Sequence, residues 1–427
     1  MKIHIKNGRI VDPRNRLDSE ADLYIAAGKV VAIGEQPHDF HANQEIDATG
    51  LVVCPGLVDL SVRLREPGYE YRATLESEME AAISGGVTSL ACPPDTDPPL
   101  DEPGLVEMLK HRAKSLNQAH VFPVGALTQG LQGQSLTEMA ELRDAGCVAF
   151  SHAEKPLDDA LVMMRAMQYA ATFDLSVWLR AQDASLSRIG VAHEGEVATR
   201  LGLPGIPACA ETIALAKILR LAKETGARVH VCRVSSSESV EMIRQAKAQG
   251  LALTCDVSLN HIHLSEMDIG FFDSNCHLIP PLRSLRDRDT LRKGLWEGVI
   301  DAVCSDHTPV DDDAKLLPFG ESEAGATGLE LLLPLVLKWA AESGVSLSDA
   351  LSRITSRPAG ILGIDCGHLS PGASADICIF DPECYWKIDH RSLRSQGKNT
   401  PFIGLELQGR VKYTLMGGHV VYRADYP

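Results

Sequence analysis

The chain is short of positive charge and has none of it in clusters. Its 41 Lys+Arg stand against 57 Asp+Glu, a formal net charge of −16 at pH 7, and no basic run exceeds two residues. Such a surface repels phosphate backbones, which argues against nucleic acid as a partner. No window approaches the ~20 consecutive apolar residues of a membrane span. The N-terminal MKIHIKNGRIVDP alternates like a strand and lacks the apolar core of a secretory signal. The most apolar stretch, LELLLPLVLKWA (329–340), is interrupted by Pro334 and reads as a buried helix. No CxxC occurs among the 11 cysteines, an odd number scattered singly through apolar runs such as LTCDV and DAVCSD, as expected of reduced core thiols in a cytoplasmic protein. No GxGxxG follows the first strand of the central region, so no dinucleotide fingerprint is present.

What is present is an ordinary globular composition, 44% hydrophobic and 23% charged, which excludes disorder as the main state. At 427 residues the chain exceeds the roughly 250–300 at which single cores stop growing, so one large domain with a smaller companion is expected. Both ends alternate with period two: KIHIKNGRIV and ADLYIAAGKVVAIG early, ADICIFDP and GRVKYTLMGGHVVY late. Asn7-Gly8 and Ala27-Gly28 have the chemistry of hairpin turns. Between the ends, eight short apolar runs alternate with helical segments: LVDLSVRL, VTSLACP, HVFPVGAL, CVAFS, LSVWLRA, ARVHVCRV, LALTCDVSL and VIDAVCSDH. This alternation predicts an α/β fold, a (β/α)8 TIM-type barrel over 55–355, with a small β-sandwich built jointly from 1–54 and 356–427. In such a barrel, reacting groups sit where the strands end.

The first of those ends reads PGLVDLSVRLREPG (55–68). With TDPPLDEP (96–103), CVAFSHAEKP (147–156), HEGEVATRLGLPGIPACAE (193–211), IPPLR (279–283), DAVCSDHTP (301–309), GATGLE (325–330), PGASADICIFDP (371–382) and NTPFIGLELQGRV (399–411), it resembles the dihydroorotase family of the amidohydrolase superfamily over nearly the whole chain. The resemblance implies one or two zinc ions at the barrel mouth, held by imidazoles and carboxylates, with hydroxide made at neutral pH. The positions that should carry those ligands depart from the pattern. His-x-His is Ser61 and Arg63, the ligand position after the fourth strand falls at Ala153, and the histidines expected after strands five and six are Arg180 and Arg233. Asp306, the family's acid/base, is retained. Arginine has no lone pair to offer a metal and stays protonated. The expectation is therefore an electrostatically inverted site with no metal, no cofactor and a vestigial Asp306. Substrate positions depart too: Arg65 remains where the family grips a carboxylate, but Asp95, Ile279 and Val310 replace two asparagines and a histidine.

Two readings of the arginines stand side by side. In the first they pair with Asp59, Asp95 and Asp306 and fill the mouth; in the second Arg63, Arg65, Arg180 and Arg233 form an anion pocket suited to a carboxylate or phosphate. His152 and His307 with Asp306 are formally enough for a relocated zinc. His261 and His263 read as packing features, and Ser235-Ser236-Ser237-Glu238 as a helix cap. The chain looks like the non-catalytic dihydroorotase homologue of some bacteria. That resemblance implies a homo-oligomer within a complex with aspartate carbamoyltransferase, which it would support in de novo pyrimidine synthesis. The alternatives are a working cyclic amidohydrolase and a metabolite sensor.

Overall fold

The computed structural model describes residues 1–424. Eight parallel strands form the barrel wall in chain order: Leu57–Asp59, Val87–Cys92, His120–Ala126, Ala149–Ser151, Ser176–Leu179, Arg228–Val231, Leu253–Ser258 and Ala302–Cys304. All eight lie within the runs read as strands. Helices such as Leu75–Ser84, Pro103–Leu116, Ala160–Thr172, Cys209–Thr225 and Ser237–Ala248 return between them, as parallel pairing requires. Strands one and eight share no ladder of their own. The wall closes just beyond them, where Val62 bridges His307 and the Arg63 and His307 amides donate to His307 O and Ser61 O at 2.9 and 3.0 Å. At the opposite end Ile354 O and Arg353 O accept from Val58 and Val303. The closing seam therefore runs through the candidate site.

The terminal sheet has eight strands, ordered His419–Arg423, Glu406–Met416, Ile377–Lys387, Val52–Pro55, Lys2–Asp12, Leu17–Ala26 and Lys29–Ile33, with Gln44–Asp47 also paired to Lys2–Asp12. Val52–Pro55 joins the chain's two ends, parallel to one and antiparallel to the other. The alternating apolar residues make one core, including Ile3, Ile5, Leu23, Val53, Ile377 and Leu415. Ala27-Gly28 is a hairpin turn with both φ positive (50° and 77°). Asn7-Gly8 is not a turn: Ile5 pairs Leu23 and Gly8 pairs Ala21, so Asn7 (φ 58°) sits in a β-bulge within one long strand. Pro334 does not interrupt its helix either, because it falls in the first turn of Leu332–Ser343, where its missing N–H costs nothing. Trp339, Leu333 and Val336 are fully buried on one face of that helix, while Lys338, Ala341 and Glu342 on the other are exposed. Among the described residues no helix is long and apolar enough to cross a membrane.

Candidate functional site

The mouth is built from residues just past the strand ends, and the backbone there is unusual. Arg65, Ala153, Arg233 and Asp306 all have positive φ, at 61°, 51°, 53° and 52°. Non-glycine residues adopt that region rarely, at a cost of order 1–3 kcal/mol each when held there by the surrounding fold. Arg63, Arg180, Arg233 and Asp306 converge on one opening beside the closing seam.

A single carboxylate gathers the guanidinium groups, and it is Glu154. Its Oε1 lies 2.5 Å from Arg63 Nη2 and 2.5 Å from Arg233 Nη1. Arg180 Nε sits 2.9 Å from Oε2, off hydrogen-bonding alignment, while Arg180 Nη2 donates to the Glu154 carbonyl. Arg63 Nε donates to Asp95 Oδ2 at 2.8 Å, and Arg63 Nη1 to Thr308 Oγ1 at 2.9 Å. Arg233 Nη1 also donates to Asp306 Oδ1 at 2.8 Å, with Arg63 Nη1 3.5 Å from the same oxygen. Ser61 Oγ donates weakly to Asp306 Oδ1 at 3.5 Å. Three guanidinium groups thus meet three carboxylates, and the network is neutral.

Its proton affinities follow from that geometry. Burial opposes ionisation of Glu154, but Arg233, Arg180 and Arg63 outweigh it and hold the carboxyl well below its usual range. Burial raises Asp306, only partly offset by Arg233 and Arg63. Arg63 and Arg233 are pushed above the usual value despite burial, by Asp95 with Glu154 and by Asp306 with Glu154 respectively. Arg180, with one carboxylate partner, is lowered by burial.

Several sequence expectations change here. Asp59 is not an arginine partner: its Oδ1 accepts the Ser61 and Ser305 amides at 3.2 and 3.0 Å, so it holds the barrel seam, and burial raises it to about 6. The charge it was expected to supply comes from Glu154, which stands beside Ala153 in the motif SHAEKP. Its only sequence signal was an acidic side chain next to an expected ligand position. Arg65 does not join the cluster; its Nε donates to Pro309 O at 2.8 Å, and burial with the nearby Arg63 lowers it to about 10. The anion pocket therefore loses its spare charge except at Arg65. Val310 is buried, with its amide donating to Asn399 Oδ1, and Ile279 lines the cavity. His152 and His307 do not reach Asp306 with free nitrogens. His152 bonds Thr128 Oγ1 and Lys155 O, each at 2.9 Å. The Gly328 and Leu329 amides donate to His307 Nδ1, which leaves Nε2–H to donate to Glu78 Oε2 at 2.5 Å. His261 and His263 bond the Pro280 and Leu335 carbonyls, and Ser236 caps the helix Ser237–Ala248 through the Ser239 amide.

The residues at the mouth do not fit the zinc that the resemblance implies. Three guanidinium groups occupy the positions at which the resemblance places metal donors, and all three nearby carboxylates, Asp95, Glu154 and Asp306, already pair with them. A second group of donor types, His230, Cys232 and Asp256, lies within 4.8 Å. It is committed internally: His230 bonds Asp256 Oδ2 at 2.9 Å and Thr254 Oγ1 at 2.8 Å, and Asp256 Oδ1 accepts the Arg233 amide at 2.6 Å. The mouth cavity lined by Arg63, Arg65, Asp95, Glu154, Ile279 and Asp306 holds about 160 Å³, below the roughly 300–1,000 Å³ common for ligand pockets.

Comparison with known proteins agrees with the geometry of the frame. Residues 50–239 match the dihydro-orotase-like family and residues 297–422 the amidohydrolase family. A dihydroorotase-like protein of Pseudomonas aeruginosa is 45% identical over 422 residues, covering 99% of this chain and 100% of that protein. A dihydroorotase of Geobacter sp. is 40% identical over 424 residues, covering 99% of this chain and all of its own. The L-hydantoinase (dihydropyrimidinase) of Arthrobacter aurescens superposes with a TM-score of 0.87 at 27% identity, over 99% of this chain and 96% of its own. With barrel, terminal sheet and motif order all in agreement, the chain belongs to the dihydroorotase-like branch of the amidohydrolase family.

Proposed function

We propose that this chain is a non-catalytic dihydroorotase homologue that serves as a structural or assembly subunit for aspartate carbamoyltransferase, in the cytoplasm, as part of de novo pyrimidine synthesis. The observation that carries the loss of catalysis is the neutral network of Arg63, Arg180 and Arg233 with Glu154, Asp95 and Asp306. Hydrolysis of a cyclic amide needs an activated water and an electrophilic partner for the carbonyl. Here the family's acid/base, Asp306, is tied to Arg233, and no uncommitted imidazole faces the cavity among the described residues. The partner rests on resemblance to the inactive chains that accompany this transferase.

The competing reading is a working cyclic amidohydrolase, favoured by 40% identical relatives that carry the name dihydroorotase. Two measurements on purified native protein separate them. Elemental analysis should find less than one-tenth equivalent of zinc, and dihydroorotate should not be hydrolysed above background. Stoichiometric zinc with turnover overturns the proposal. Co-purification from the native source should recover aspartate carbamoyltransferase; its absence removes the assembly role.

A further inference from the structure

The loops on the mouth side of the barrel carry an apolar surface that the chemistry above does not use. Phe271 is 92% exposed and Leu316 83%, with Met267, Phe272 and Leu317 exposed beside them. The two segments form one face, because Ser274 Oγ donates to Lys315 O and Lys315 Nζ donates to Ser274 O at 2.9 Å. Beneath them Ile269, Cys276, Leu278 and Phe319 share a small buried core, so the face is held on a folded base. Phe271 and Phe272 meet edge to face at 5.5 Å between centroids. Exposed aromatic and aliphatic side chains grouped in this way mark interaction surfaces.

Along these two segments the exposed charge has one sign. Asp268, Asp273, Asp312, Asp313 and Glu321 are exposed around the patch, and the one basic residue of the two segments, Lys315, is buried under it. A second copy of this chain, itself of net charge −16, would bring acid against acid around a shared apolar centre. Like-charge juxtaposition at a rim works against association, and complementary charge steers it. We infer that this face docks a different protein, whose contact surface has an apolar centre ringed by lysine and arginine. The inference rests on the assembly role proposed above, and it assigns the surface through which that role is exercised.

The test titrates the purified full-length chain with purified aspartate carbamoyltransferase from the same source, by calorimetry at 50 and 300 mM NaCl. The paired substitution F271S/L316S, on exposed side chains, should leave the melting temperature unchanged and weaken binding at least tenfold. The reversal D312K/D313K should weaken binding at low salt and flatten its salt dependence. Wild-type binding that both variants retain overturns the surface and leaves the assembly role standing. No wild-type binding overturns the assembly role and this assignment together. Self-association of the wild type that F271S/L316S abolishes, seen by sedimentation without the transferase, overturns the inference in favour of a second copy.

Discussion

Glu154 is the one carboxylate shared by all three guanidinium groups of the mouth, so Glu154→Gln is the sharpest test of the network. The substitution keeps the shape and removes one negative charge, leaving Arg63, Arg180 and Arg233 against Asp95 and Asp306, a net charge of one positive. Breaking a fully buried ion pair costs about 3–5 kcal/mol. The Glu154 side chain keeps 30% exposure at the opening, and solvent screening there reduces the expected loss to about 2–4 kcal/mol. Unfolding entropy of about 2.1 cal/mol/K per residue over 427 residues is about 0.9 kcal/mol/K. The melting temperature should therefore fall by about 2–4 °C, and the urea midpoint should fall with no change in slope. Glu154→Gln combined with Arg180→Met restores neutrality and should recover part of the loss, because Arg180 has no other carboxylate partner. A single substitution costing under 0.5 kcal/mol, or a double variant less stable than the sum of its parts, would refute a structural role for the network.

Further outcomes follow from the same geometry. Returning histidine at Ser61, Arg63, Arg180 and Arg233 frees Glu154 and Asp306 and should raise zinc content toward stoichiometry by elemental analysis. Dihydroorotate hydrolysis should stay absent, since Asp95 and Ile279 still face the cavity; a quadruple variant that retains no zinc counts against the mapping of these positions. His261, His263 and His277 are each lowered by burial to about 4 from an ordinary 6.5. They are neutral in the fold, so unfolding takes up protons between those values and stability falls as pH drops from about 6.5 to 4, by up to about 3 kcal/mol per histidine. Asp59, raised to about 6, acts in the opposite sense between pH 3.8 and 6, as do Asp306 and Glu330, also raised by burial, while His152 and His193, lowered by burial, act with the three. A urea midpoint independent of pH over this window contradicts the assignment. Glu78 accepts from His307 Nε2, Ser395 Oγ, Ser77 Oγ and the Gln396 amide, tying the last barrel strand to the C-terminal segment. Glu78→Ala should cost about 3–5 kcal/mol in denaturant unfolding, against under 1 for the exposed control Glu76→Ala.

The eight barrel strands and the joint terminal sheet were legible because their signals are local: apolar runs of five to nine residues between helical stretches, and period-two alternation at both ends. The arginines of the mouth were equally legible, since the chemistry of a guanidinium holds wherever it lies. Turn chemistry misled at Asn7-Gly8, where pairing with Leu17–Ala26 absorbs the extra residue as a bulge, and position within the helix, not proline itself, decided the effect of Pro334. What the residues alone could not rank was which acid would meet which arginine. Asp59 and Glu154 are both acidic and both near strand ends. The closing seam claims Asp59 through the Ser61 and Ser305 amides, while the left-handed backbone at Ala153 brings the next side chain under three guanidinium groups. Composition and pattern thus determined the fold and the arginine-rich character of the strand ends, because both depend on residue type and spacing. The charge partners and the single-signed apolar face were decided by tertiary structure, because both depend on distances between segments far apart in the chain.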